Sequence, residues 1–508
     1  MKMLPLSILL SCLVGKALAL ENGLARTPQM GWNTWNYFSC GISEDTILSA
    51  AQALVDTGLK KLGYEYVLID DCWHAPTRNA TTNAPVVDPE RFPNGMKHVS
   101  DAVHKLGLKI GIYSDAGTRT CANRFGSLGY EEIDAKQYAE WEIDYLKYDN
   151  CYNEGLSGTP TISRNRYLAM SEALNKTGRP ILYSMCECDE DGPWNWAPTI
   201  ANSWRISGDI HDSFNRFDER CPCTDVLDCK LAGYHCAVMR IVDFAAPLGQ
   251  KGGPGHFNDL DMLEVGNGGM TYDEYVTHFS MWAILKSPLI LGNDLTAMDD
   301  ETFSIISNEQ LISINQDPMG GAANRIWKNG DLQLWVGWLV EWETVVAIIN
   351  TGDKAVDTSI SIADVFVDGS ENSRKNPYKL YDLWQRQDGS DPRSGRKATA
   401  GYGKYEGVVQ GHINKVHIKP HQTRVFKLGV IWGAEAARKQ RQEDAAAGIG
   451  MDQNPSVEDS SSWTLFGISA PYFFIGAGVI GVTGILVGVS LFDGARLKGY
   501  ALLRSDKV

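Results

Sequence analysis

The stretch Tyr145-Leu146-Lys147-Tyr148-Asp149-Asn150-Cys151 decides how this chain is read. A short run of strand character ends in a carboxylate, and the period-two alternation of a strand points Lys147 and Asp149 to the same side. The pattern recurs in both directions. Apolar strand-like runs at residues 64–70, 108–114, 181–186, 203–206, 257–262 and 289–291, with a first strand near 30–35, alternate with helical patterns at 44–59, 131–141, 164–176 and 272–285. About eight β/α units in roughly 260 residues is the usual extent of a (β/α)8 barrel. A doubly wound open sheet is the rival α/β arrangement, but no Gly-x-Gly-x-x-Gly follows the first strand.

Polar residues gather at the downstream ends of these runs: Asp70-Asp71, Tyr113 with Asp115, Asp149, Glu187, Asp209, and Asp259 with Asp261. Asp and Asn favour turns and helix caps, so a few such residues would be ordinary. Acids at so many strand ends exceed what capping needs. In a barrel those ends converge on one mouth, which predicts a carboxylate-lined pocket. Lys147, two residues before Asp149 on one face, is expected to depress that acid's pKa and keep it ionised, as a nucleophile requires. Trp204-Arg205 with Asp209 offers a second carboxylate beside a cation. Two carboxylates in an aromatic-walled pocket suit glycoside hydrolysis, although the residues alone also fit a metal site or a structural ion-pair network.

Composition narrows the field. The chain has 508 residues, 44% hydrophobic and 21% charged, with a formal net charge of −15. Such an apolar fraction excludes a disordered chain, and the acidic balance argues against a nucleic-acid partner. After residues 315–318 the pattern changes to short, often alternating runs at 332–339, 344–349, 358–362, 378–382, 405–410 and 424–428, separated by Gly, Asp, Asn and Pro, which predicts an antiparallel β domain. The expected organisation is a signal peptide over 1–19, a barrel over 20–315, the β domain over 316–430, a polar stalk over 431–466, a transmembrane helix over 467–492 and a cytosolic tail over 493–508. Lys2, an apolar run and Ala17-Leu18-Ala19 make the first segment a secretory signal. Residues 467–492 carry no Asp, Glu, Lys, Arg or His, long enough to cross a bilayer, and the basic residues that follow place the tail in the cytosol. A lipid-anchor signal fits the polar tail badly. The bulk of the chain is therefore expected outside the cytosol, with the lipid bilayer as a partner. Disulfides are the default for the ten cysteines that remain after the signal, and zinc fits the loose spacing of Cys221, Cys223, Cys229 and Cys236 poorly. Asn79 and Asn175 open glycosylation sequons.

The motifs Gly31-Trp32-Asn33-Thr34-Trp35-Asn36, Asp70-Asp71-Cys72-Trp73, Lys147-Tyr148-Asp149-Asn150-Cys151, Trp204-Arg205 with Asp209, and Asn258-Asp259-Leu260-Asp261-Met262 occur in this order. Together they closely resemble the α-galactosidase and α-N-acetylgalactosaminidase family of retaining glycosidases, family 27, and its fungal members in particular. The resemblance implies a barrel followed by a β-sandwich, no metal or organic cofactor, and α-galactoside oligosaccharides, polysaccharides or glycoconjugates as substrates. It implies that Asp149 is the nucleophile and Asp209 the acid/base, with carboxyls about 5–5.5 Å apart. Asp70 and Asp71 would bind the galactose 4- and 6-hydroxyls, and Lys147 the 3- and 4-hydroxyls. Trp35 and Tyr113 would wall the sugar, Arg205 would clamp near the 2-position, Glu187 would lie on that side, and Asp261 would be a further substrate contact. The same matching implies Cys40–Cys72 and Cys121–Cys151 bridges; for the other cysteines, Cys221–Cys236 and Cys223–Cys229 are the pairs expected, without support from the resemblance. The usual Trp after Glu187 is replaced by Cys188, which bears on the 2-position. Within the family the alternatives are a β-L-arabinopyranosidase or an α-N-acetylgalactosaminidase, and outside it a non-catalytic sugar-binding surface protein. The natural substrate and oligomeric state are not legible in the sequence.

Overall fold

The computed structural model describes residues 20, 22–187, 190–219, 221, 236–367 and 369–449. The expected signal peptide, Cys188, the Cys223–Cys229 pair, the apolar run 467–492 and the tail beyond it lie outside the described residues. Among the described residues, no helix is long and apolar enough to cross a membrane.

Eight parallel strands form the first sheet among the described residues: β1 (Met30–Asn33), β2 (Tyr66–Ile69), β3 (Lys109–Asp115), β4 (Tyr145–Asp149), β5 (Leu182–Met185), β6 (Ser203–Arg205), β7 (Phe257–Asp259) and β8 (Leu289–Leu291). Each strand pairs with its neighbour in chain order, and β8 returns to pair with β1. Leu263, just beyond β7, bridges Leu291 of β8 in parallel, so the ring is closed. The strands are short apolar runs because both faces are covered. Outward residues such as Trp32, Val67, Ile69, Ile110 and Leu146 pack against the helices. Inward residues Tyr66, Leu68, Tyr145, Leu182, Met262 and Ile290 fill the interior. Tyr66 and Tyr145 meet edge to face at 5.5 Å. Gly111 makes room for them: a Cβ there would lie 2.3 Å from Leu68 Cδ2 and 3.0 Å from Tyr145 Cβ. Helix starts are chemically marked, with the Ser43 side chain accepting from Thr46 N, and Thr159 accepting from Ile162 N ahead of Pro160.

The second sheet is antiparallel. It comprises β9 (Asn324–Asn329), β10 (Leu332–Trp338), β11 (Glu343–Asn350), β13 (Tyr378–Arg386), β14 (Tyr402–Val409) and β16 (Thr423–Val430), ordered β14-β13-β16-β11-β10-β9, and faces a pair made by β12 (Val356–Ser361) and β15 (His412–Ile418). Leu334, Val336, Val346 and Ile348 from the large sheet and Ile360, Ile413, Val416 and Ile418 from the small one share one core, the signature of a sandwich. The sandwich is fastened to the barrel by polar contacts, including Trp384 Nε1 to Ser280 Oγ at 2.8 Å and Asn308 Nδ2 to the Leu383 carbonyl at 2.9 Å.

One expectation is corrected. The Ala- and charge-rich segment after Gly433, read as stalk, forms the helix Ala434–Ala446 on the β domain. Ala437 packs with Val408 and Ile431, and the Tyr405 hydroxyl donates to Asp444 at 2.8 Å. The small apolar stripe of Ala residues suffices to dock a helix once a sheet face is supplied, and no sequence window contains that face.

Candidate active site

The strand ends open on a cavity of about 310 Å³ that brings together Trp35, Asp70, Asp71, Tyr113, Lys147, Asp149, Asp209 and Asp261. These residues come from six separate stretches of chain, and parallel closure of the barrel is what gathers them.

Asp70 is fully buried and its Oδ2 accepts two bonds, from Lys147 Nζ at 2.8 Å and Asn33 Nδ2 at 2.8 Å. Asp71 accepts from the backbone of Cys72 at 2.6 Å and Ala122 at 2.8 Å. Burial pushes the Asp71 carboxyl up to about 6, against the pull of those donors. The Cys40–Cys72 bridge and the left-handed backbone of Cys72, φ 77°, shape this corner. A second bridge, Cys121–Cys151, ties the loop after β3 to the end of β4. That loop approaches closely: a Cβ on Gly117 would lie 1.8 Å from the Cys151 carbonyl oxygen.

Asp149 ends β4 with both oxygens held, Oδ2 by the Tyr113 hydroxyl at 2.8 Å and Oδ1 by Asn150 N at 2.9 Å. Burial opposes charge on Lys147, but the Asp70 and Asp149 carboxylates outweigh it and hold the amine well above its ordinary value. The expected depression of Asp149 is not observed. Burial pushes its pKa up, and Lys147 only moderates that rise while the nearby Asp209 charge adds to it. The physical reason is desolvation, which outweighs the attraction of the Lys147 ammonium, itself bonded to Asp70.

Asp209 stands at the mouth, 55% exposed, beyond β6. Its carbonyl accepts from Cys236 N at 2.7 Å, and the Cys221–Cys236 bridge fixes that partner. Asp261 adopts a left-handed backbone, φ 78°, in an Asx-type turn where its N–H donates to Asp259 Oδ1 at 2.8 Å. Its Oδ2 accepts from Ile210 N at 2.9 Å and lies 2.8 Å from an Arg205 NH2 group that also reaches Asp209 at 3.2 Å.

Two expected contacts are not at the cavity wall. Arg205 is buried beneath it, tying Asp209 to Asp261 and donating to the Gly208 carbonyl at 2.7 Å. Glu187 is also fully buried, with Oε2 accepting from Asp191 N at 3.3 Å and Oε1 lacking a partner, and burial pushes it up to about 8. Conversely, Asn36, His211 and Glu264 line the cavity without having been singled out. For Glu264 a signal existed: an acid inside the apolar run Met262-Leu263-Glu264-Val265. The grouping of candidate metal ligands among the described residues, Asp115 with Cys121 and Cys151, has both sulfurs in a disulfide and offers no thiolate.

Residues 27–317, more than half of the chain, match the family described as Alpha galactosidase A, and residues 329–428 match the Alpha galactosidase C-terminal beta sandwich domain. The chain belongs to the α-galactosidase family, glycoside hydrolase family 27. Among relatives of this α-galactosidase-family chain, a Schizosaccharomyces pombe α-galactosidase is 52% identical over 368 residues, 72% of this chain and 84% of the relative. The solved α-galactosidase I of Mortierella vinacea is 50% identical with a TM-score of 0.75, covering 80% of this chain and 98% of that one. A Saccharomyces cerevisiae α-galactosidase solved with raffinose is 39% identical with a TM-score of 0.76, covering 81% and 99%.

The buried acids of this α-galactosidase-family chain make its stability pH-dependent. Burial raises Glu187 and Glu264 to about 8 from the ordinary carboxyl value of 4.5. Between those values the native state binds protons that the unfolded state does not, so stability falls as pH rises. Lys286, lowered by burial to about 8, works the other way above that pH, and the buried neutral His74 and His278 do so below about 6.5. Within the window left, moving from pH 8 to 6.5 is expected to raise the melting temperature by roughly a few degrees. Glu187→Gln should flatten that rise; a melting temperature that falls on acidification across this window would contradict the account.

Proposed function

We propose that the chain is a retaining α-galactosidase that removes terminal non-reducing α-D-galactosyl residues by double displacement, with Asp149 as nucleophile and Asp209 as acid/base. The observation that carries this reading is the presence of both carboxylates in one cavity beside the Asp70–Lys147 pair. Asp149 attacks the anomeric carbon as the glycosidic C–O bond breaks, and Asp209 gives its proton to the departing oxygen. Asp209 then takes a proton from water, whose oxygen attacks the same carbon and releases Asp149. The Tyr113 hydroxyl and Asn150 N–H orient the two oxygens of Asp149, so attack geometry does not depend on side-chain rotation. The exposed position of Asp209 suits a group that meets both the leaving sugar and the incoming water.

Asp70 and Asp71 are assigned to the galactose 4- and 6-hydroxyls, Lys147 to the 3- and 4-hydroxyls, and Trp35 to the apolar wall. Glucose, with its equatorial 4-hydroxyl, would leave the buried Asp70 and Asp71 oxygens unpaired, and such mismatches discriminate by about 10⁴ or more. Arg205 is assigned a positioning role through Asp209 and Asp261 in place of the 2-position clamp. Three disulfides and the exposed sequon residues Asn79 and Asn175 support passage through the secretory pathway. The apolar run 467–492 supports a single-pass anchor with the barrel on the extracytosolic side.

The test is ¹H NMR of p-nitrophenyl α-D-galactoside hydrolysis. Retention predicts α-galactose as the first-formed anomer, ahead of mutarotation. First-formed β-galactose would overturn the double displacement. Faster turnover of the β-L-arabinopyranoside or the α-N-acetylgalactosaminide run in parallel would overturn the substrate assignment.

A further inference from the structure

Glu264 is a cavity-lining acid to which the reaction described above gives no task. It is 5% exposed. Its Oε1 accepts from Asn36 Nδ2 at 2.8 Å, its Oε2 accepts from Asn267 Nδ2, and its backbone N–H donates to His278 Nε2 at 3.0 Å. Each oxygen of the carboxyl group is therefore held by a side-chain amide, and the His278 ring fixes the backbone that carries it. Burying a carboxyl with only two side-chain partners costs free energy, and an apolar residue in this run would avoid that cost.

Its place in the cavity identifies what it would meet. Asp70, Asn33 and Lys147 form the end assigned to the galactose hydroxyls. The loop that carries Glu264 lies instead against the 209–212 segment: Gly269 N donates to Asp212 Oδ2 at 2.6 Å, and Asp261 Oδ2 accepts from Ile210 N at 2.9 Å. Asp209 protonates the departing oxygen, so the side of the cavity shared by Asp209, His211 and Glu264 faces the leaving group.

Resting on the α-galactosidase reading, we propose that Glu264, braced by Asn36, hydrogen-bonds a hydroxyl of the leaving sugar and so sets the preference for saccharide over aryl leaving groups. A carboxyl group accepts from a sugar hydroxyl when ionised and donates to one when protonated. Burial pushes Glu264 up to about 8, so in neutral and acidic solution the group carries a proton that it can donate to a hydroxyl.

The experiment compares kcat/KM for melibiose, whose leaving group is glucose, with kcat/KM for p-nitrophenyl α-D-galactoside, whose leaving group carries no hydroxyl before cleavage. For Glu264→Leu the melibiose-to-aryl ratio is expected to fall about tenfold, the loss of one hydrogen bond to substrate. A residue that merely braces the loop would lower both rates together, so an unchanged ratio overturns the proposal. Should Glu264→Leu lose its cooperative melting transition, Glu264→Met, close in length but unable to donate to a hydroxyl, decides the matter: a ratio lowered at least threefold supports the contact, and a smaller change overturns it. A wild-type protein inactive on both substrates would overturn the α-galactosidase reading itself, a result distinct from an active enzyme with an unmoved ratio.

Discussion

Asp149→Asn is expected to lower kcat on p-nitrophenyl α-D-galactoside by about 10⁴-fold or more, because the amide cannot form the covalent galactosyl intermediate. The substitution is close to isosteric: the amide oxygen can still accept from Asn150 N, and the amide N–H can donate to the Tyr113 hydroxyl oxygen, which lies 2.8 Å from Asp149 Oδ2. Stability should not suffer. Burial holds the Asp149 pKa above its ordinary value, which means the folded protein bears a cost for its charge, and a neutral amide removes that cost. The melting temperature at neutral pH is therefore expected to stay level or rise. This combination separates a nucleophile from a structural ion-pair member, whose removal would lower stability along with rate. More than a tenth of wild-type activity in a folded Asp149→Asn protein would remove Asp149 from the role.

Asp209→Ala should behave differently with different leaving groups. With melibiose, whose departing sugar oxygen needs a proton, the expected loss is about 10³-fold, within the range of general acid catalysis. With 2,4-dinitrophenyl α-D-galactoside, whose phenolate departs unaided, the first step should survive, and the galactosyl-enzyme should accumulate because no base activates water. A pre-steady-state burst followed by slow turnover is the signature to look for. The fold should tolerate the change: Asp209 is 55% exposed, and Arg205 keeps its partner Asp261 at 2.8 Å. Equal losses on both substrates would argue that Asp209 positions Arg205 and Asp261 and transfers no proton.

The barrel was legible because its signals are local. Each strand is a short apolar run ending in an acid, and β4 shows this at Lys147 and Asp149. Marks such as Ser43 and Pro160 start helices wherever the chain goes afterwards. The β domain was legible in outline, but β9 and β15 escaped, since Asn324–Asn329 and His412–Ile418 carry too many polar residues to stand out. They are strands because β10 and β12 offer them edges to pair with. The helix Ala434–Ala446 escaped for the same reason, its apolar side being only as wide as a row of Ala residues.

At the site, chain order and residue type by themselves determined that acids stand at consecutive strand ends and, once those ends converge, that Asp70, Asp71, Asp149, Asp209 and Asp261 share a mouth. Tertiary structure decided which side chains reach it. Glu187 and Glu264 are both acids just past a strand, yet the first is buried away from the cavity while Asn36 holds the second at the cavity wall. Tertiary structure also decided the charge balance. Lys147 is two residues from Asp149 in sequence, but its amine bonds to Asp70, 77 residues away, and the desolvation of Asp149 then outweighs the attraction. Pairing and periodicity are properties of neighbours along the chain, whereas desolvation and the competition for a single ammonium depend on every group that folding brings within a few ångströms.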